Sequence, residues 1–125
     1  MKIATNIARI LMGLIFLIFG LNKFFNFIPA QMPPGTAGQF AGILFTTHYL
    51  WIIALIEIVS AALLLLNRYV ALALTLSGPV VVNILLFHAL MAPSGLPIGI
   101  VLALCWFTVF AGHRTAFSPL FTQNA

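Results

Sequence analysis

Hydrophobic positions in this chain fall in four long blocks. The blocks cover residues 7–28, 49–66, 69–91 and 96–112. Each has the length of roughly 17–25 residues that a membrane-crossing helix needs. Between them stand Pro33-Pro34-Gly35, Asn67-Arg68 and Pro93-Ser94-Gly95, all turn or loop formers. The loop over residues 29–48 is long for so short a chain. Thr36 can cap a short helix there, carrying Phe40, Ile43, Leu44 and Phe45. Backbone in lipid must satisfy its own hydrogen bonds, so this helix should lie along the outer interface or dip in beside the bundle. The pattern predicts an all-α, integral membrane four-helix bundle with a short interfacial helix in its first outer loop. Residues 1–125 form one transmembrane domain on this reading.

Composition agrees. Of 125 residues, 63% are hydrophobic and 5% charged, with a mean hydropathy of +1.21. Soluble domains carry roughly a quarter charged residues, so a soluble enzyme, a nucleic-acid reader and a disordered tail are excluded. The net charge of +4 arises from five Lys and Arg against one acid. Spread singly along the sequence, these charges do not point to a polyanion partner. The single cysteine, Cys105, rules out an intramolecular disulfide and any cysteine-pair redox or zinc motif within the chain, and reads as core packing.

Lys2, Arg9, Arg68 and Arg114 fall at one set of block ends, and only Lys23 falls toward the other. The positive-inside rule then places both termini and the Arg68 turn in the cytoplasm. Lys2, Arg9 and the apolar run over 10–21 also resemble the start of a secretory signal. That run continues past Asn22-Lys23 with no small-x-small cleavage site, so the segment is read as retained. Tyr49, Trp51 and Tyr69 sit near span ends, as aromatic belts do; Trp106 is deeper and reads as packing.

Helix faces follow from the 3.6-residue period. The first span repeats Arg9, Gly13, Phe16, Gly20, Lys23 and Phe27 on one face, and the second Glu57, Ser60, Ala61, Leu64 and Arg68. The third offers Thr75, Pro79, Asn83 and Leu86, and the fourth Gly99, Ala103, Trp106 and Phe110. Small residues on such faces let helices approach closely in lipid. Pro79 removes a ladder hydrogen bond inside its helix, which predicts a kink.

Polar residues gather in one depth band. At about 1.5 Å per residue, Glu57 lies about 12 Å below the outer boundary, Asn83 about 10–12 Å, and Lys23 and Asn22 about 6–8 Å, with His88 nearer the surface. Glu57 is the one acid in the chain. An ionised carboxylate at mid-membrane costs about 2.5–3.5 kcal/mol on insertion scales, so it must be neutral, paired or facing water. Two arrangements satisfy it: an ion pair with Lys23, or a protonated carboxyl bonded to Asn83. Asn83 and His88 stand about 140° apart around their helix, too far to share one narrow face; His88 therefore meets another neighbour or the interface. His48 and His113 read as span-end groups. Three scattered His, one Cys and one Glu give no recognisable metal-ligand set, and no nucleophilic triad, phosphate loop or nucleic-acid motif is present.

The stretches ARILMGLIFLIFGLNKFF, IEIVSAALLLLNRYVALALTL and VNILLFHALMAPSG resemble the DoxX-like family of small four-span bacterial membrane proteins. The landmarks are Gly-x-x-Lys-Phe closing the first span, Glu in the second, and Asn-x-x-x-x-His in the third. The family's recurrent polar positions fall on Lys23, Glu57, Asn83 and His88. The resemblance implies a membrane subunit of a sulfur-compound quinone oxidoreductase, or a partner of thiol and oxidative-stress enzymes. Related members resemble maturation factors and cargo receptors. Without a cysteine pair, thiol–disulfide catalysis by this chain alone is not expected.

Three functions compete at this point. The first is a redox-associated subunit that binds a quinone or other small lipophile among Lys23, Glu57, Asn83, His88 and Asn22, beside Phe16, Phe24, Phe87 and Trp106. The second is a non-catalytic scaffold or assembly factor with Glu57–Lys23 as a helix clamp. The third is a small proton-coupled transporter; that class resembles a dimer built on a first-span Glu, and here the acid is in the second span. Partners expected are the lipid bilayer and a redox or thiol/sulfur-metabolism enzyme, with a homo-oligomer left open. No metal and no nucleic acid are expected.

Overall fold

A computed structural model describes residues 2–27 and 32–123 of the chain. Five α-helices form: α1 (Lys2–Phe25), α2 (Gly35–Thr46), α3 (Tyr49–Leu66), α4 (Val70–Leu90) and α5 (Leu96–Gly112). Short 3₁₀ segments, Pro93–Gly95 and Arg114–Phe121, follow α4 and α5. Four helices, α1, α3, α4 and α5 with its preceding 3₁₀ turn, are long and apolar enough to cross a membrane. Their predicted bounds hold closely, α3 and α5 to the residue.

α1 differs most. It begins at Lys2, ahead of the expected start at Ile7, because Thr5 packs against Gly112 of α5 and holds the first turn. At its other end Asn26 adopts φ 50°, with its N–H on the Asn22 carbonyl at 2.7 Å. Left-handed backbone ends a helix, and Asn tolerates it better than most side chains. Phe27, expected on the inward face, therefore lies beyond the helix and is exposed. The expected span end at Ile28 and the loop start at Pro29 lie outside the described residues.

The α3–α4 connection uses the same chemistry. Asn67 and Tyr69 both have positive φ, and the N–H groups of Asn67 and Arg68 cap the carbonyls of Leu64 and Leu63. Arg68 is thus turned out to the surface rather than continuing the α3 face.

α2 begins differently from the expectation. Pro34 is its N-cap and Gly35, at φ 71°, its first residue; Thr36 makes no cap. The left-handed backbone at Gly35 sets the entry, which a glycine adopts without steric cost.

In the bundle α1 packs against α3 and α5, and α4 closes the ring between them, with α1 and α4 across the diagonal. Gly13 faces Leu64 and Leu65 while Gly20 faces Ala54 and Ile58, so α1 and α3 run antiparallel at close approach. The core centres on Met12, Phe16, Leu64, Leu74, Leu102 and Val109, all fully buried. On α3 Glu57, Ser60, Ala61 and Leu64 are buried as their spacing predicts, Ala54 joins them one turn earlier, and Arg68 does not.

Two faces are corrected. α4 turns Val70, Ala73, Leu74, Ser77, Val80 and Val81 inward, leaving Thr75, Pro79, Asn83 and Leu86 exposed. α5 buries Gly99, Leu102, Cys105 and Val109, while Ala103, Trp106 and Phe110 are half-buried beside them. Both helices are apolar all round, so periodicity alone could not set their rotation. On α5 a polar anchor fixes it: the Trp106 indole N–H donates to the Leu74 carbonyl at 3.0 Å, and its ring lies against Gly78.

Candidate functional site

The site begins with a glycine. A Cβ at Gly20 would stand 2.8 Å from Ile58 Cγ1 and 3.2 Å from the Ala54 carbonyl oxygen, so its absence lets the α1 backbone settle on α3. One turn further along α1, the Lys23 stem then reaches Glu57. Lys23 Nζ lies 2.7 Å from Glu57 Oε1. Glu57 is 2% exposed and Lys23 22%, so the carboxylate is fully enclosed while the ammonium keeps an outlet. Among the described residues no hydrogen bond other than this ion contact reaches Oε1. Of the two arrangements the sequence allows, the structure adopts the ion pair.

Asn83 does not complete it. Its Nδ2 donates to the Pro79 carbonyl at 2.8 Å within α4, and a carboxamide nitrogen keeps one further N–H for another acceptor. Pro79 and Asn83 are turned away from the core, yet both line the cavity described next.

That cavity measures about 830 Å³ and is bounded by α2, α3, α4 and Lys23 of α1. Its polar lining includes Lys23, Glu57, Asn83, His88 and Thr47; its walls are mostly apolar, among them Phe40, Leu44, Ile53, Ile56 and Phe87. Phe40 and Phe87 pack with ring centroids 5.6 Å apart, which joins α2 to α4.

His88 therefore shares a cavity with Asn83 despite the angle between them. The cavity is broad enough to wrap around α4, so a narrow shared face is not required. His88 Nδ1 lies 3.2 Å from the Ala92 carbonyl oxygen. A carbonyl only accepts, so this contact is a hydrogen bond when Nδ1 carries the proton. The imidazole fills the space beside Gly95, where any Cβ would collide with it.

Other expected members lie elsewhere. Asn22 is half-buried and does not line the cavity. Phe16 is buried in the core, Phe24 packs on Trp51 with centroids 5.9 Å apart, and Trp106 is held against Leu74. Of the four aromatics expected around a ligand, only Phe87 is there. α2 also supplies a wall, a role its apolar Phe40, Ile43 and Leu44 signal only weakly in the sequence. Among the described residues no three His, Cys, Asp or Glu side chains gather as a metal set.

Four membrane-length helices, with an apolar cavity holding a buried ion pair, define a small integral membrane protein of the four-helix-bundle class. The DoxX family model matches residues 4–89, more than half of the chain. The chain belongs to the DoxX family. No curated protein and no solved structure matches it. The matched region carries α1 through nearly all of α4, and every residue lining the cavity falls inside it.

Proposed function

We propose that this protein is an accessory, redox-associated membrane subunit that binds a quinone or other small lipophile in the cavity between α2, α3 and α4. The carrying observation is the convergence of Lys23, Glu57, Asn83 and His88 on one apolar chamber of about 830 Å³. Ligand sites are typically about 300–1,000 Å³, mostly apolar, with a few polar groups that orient the ligand. A quinone ring suits apolar walls, and its carbonyl oxygens suit the Lys23 ammonium and the second Asn83 N–H. The reading places the protein in a bacterial inner membrane with both termini cytoplasmic, serving a redox or thiol/sulfur-metabolism enzyme.

A titration of the purified protein in nanodiscs with decylubiquinone tests this. Saturable binding is expected, weakened about tenfold or more in the double variant Lys23→Met/Glu57→Gln, since a hydrogen bond to a charged group contributes about 1.5–3 kcal/mol. Equal affinity in both proteins overturns it.

The ion pair itself favours a second reading, a scaffold or assembly factor. Lys23 and Glu57 join α1 to α3 and satisfy each other, so Glu57→Gln would lower thermal stability without altering any ligand. A stable Glu57→Gln protein that loses partner-dependent activity rejects this reading.

A further inference from the structure

The opposite end of the bundle holds a second depression, of about 400 Å³, lined by Lys2, Thr5, Asn6, Asn67, Gly112 and His113. Charge is distributed very unevenly between the two ends. The one acid, Glu57, is neutralised by Lys23. The whole formal charge of +4 therefore resides in Lys2, Arg9, Arg68 and Arg114, and the antiparallel topology collects all four toward this second end. Residues scattered along the sequence are gathered at one end of the bundle, Arg9 buried within it and Lys2, Arg68 and Arg114 at its surface.

Two ordinary causes place cations here. The positive-inside rule orients spans, and cations complement the carbonyl ends of α3 and α5. Neither calls for a polar hollow, nor for what lies inside it. Thr5 is only 9% exposed, lines the depression, and its hydroxyl has no hydrogen-bond partner among the described residues. A Cβ at Gly112 would stand 2.7 Å from Thr5 Oγ1, so the glycine keeps this hydroxyl from being covered. Arg9 lies one helical turn deeper on the same face, 8% exposed. Its guanidinium donates to the Leu64 carbonyl, and its Nε has no partner among the described residues. No acid accompanies any of these groups. Of the four cations only Lys2 lines the hollow itself; with the Thr5 hydroxyl and the Asn6 amide beside it and no acid nearby, the lining offers charge and donors with no carboxylate to receive them.

We propose that this hollow binds a phosphate group, taken from the headgroup of an anionic phospholipid or from a soluble phosphate ester. Lys2 supplies the charge, and the Thr5 hydroxyl and Asn6 amide supply donors. Basic pockets between membrane helices bind lipid headgroups by this chemistry.

Native mass spectrometry of the full chain tests it, with phosphatidylglycerol weighed against a phosphate-free galactosyl diacylglycerol. In a separate arm, inorganic phosphate is added to protein in neutral detergent and the melting temperature followed. A lipid source gives about tenfold preferential retention of phosphatidylglycerol; a soluble source gives a phosphate-dependent rise in melting temperature without that preference. Either effect should disappear in Lys2→Gln/Thr5→Val. Asn6→Asp, an exposed and volume-conserving change, should abolish it by charge alone and so guards against a folding defect in the double variant. The proposal is overturned if neither effect occurs in the wild type, or if the effect survives unchanged in folded Asn6→Asp protein.

Discussion

The two ends of this bundle handle charge in opposite ways. At the α2 end, a buried carboxylate and a half-buried ammonium cancel each other at 2.7 Å beneath an apolar chamber. At the end carrying Lys2, Asn67 and His113, four cations stand without an acid, and a buried arginine leans on a backbone carbonyl. The contrast separates two ways of tolerating ionisable groups near lipid. A pair neutralises itself wherever it sits, whereas a lone cation needs a helix end, a headgroup or water close by.

The sharpest way to break the contrast is to remove one member of the pair. Lys23→Met leaves the Glu57 carboxyl buried without its partner and should cost about 3 kcal/mol. Exchanging both, in Lys23→Met/Glu57→Leu, should recover most of that loss. Reversible unfolding in mixed detergent micelles measures both, and a double variant no more stable than Lys23→Met contradicts the paired-charge account.

Next in size is the packing that allows the pair to form. Gly20→Ala adds a methyl 2.8 Å from Ile58 Cγ1 and should destabilise by about 1–3 kcal/mol, as overpacking does. The same substitution at Gly42, whose Cβ meets nothing within 4 Å, is the control for helix propensity. Equal effects at both glycines would show that helix contact is not the cause.

The smallest effect is expected at the basic end. Arg9→Met deletes a charge that has no acid partner, and the Leu64 carbonyl keeps the Asn67 N–H at 3.2 Å. The cost should be about 1 kcal/mol, that of one hydrogen bond, in the same unfolding measurement. A loss matching that of Lys23→Met would make the two ends energetically alike.

Much of this was legible in the sequence. Span lengths follow from bilayer thickness, and the solitary acid had one cation at compatible depth, so Glu57 and Lys23 could be paired on elementary grounds. Rotation of α4 was not legible. Thr75, Pro79 and Asn83 are the polar or unusual positions of an otherwise apolar helix, and burying polar groups is the reasonable guess. They face outward because Thr75 and Asn83 satisfy themselves on the Ala71 and Pro79 carbonyls of their own helix, while Ala73 and Ser77 give the flatter surface for close contact. The α2 start escaped for a different reason. Thr36 has the side chain of a cap, but with Pro34 as N-cap and a positive φ at Gly35 the helix begins two residues earlier than a Thr36 cap would set it.

α5 contributes no residue to the chamber and lies beyond the matched span of the family. Its outward side chains, Leu104 and Phe107 among them, are 63% and 62% exposed. This helix is therefore the flank on which a lipophilic dye, a crosslinker or a spin label can be mounted while the proposed binding compartment is left untouched. In a test of that proposal any reporter of occupancy belongs there, at the back of the molecule and clear of the chamber.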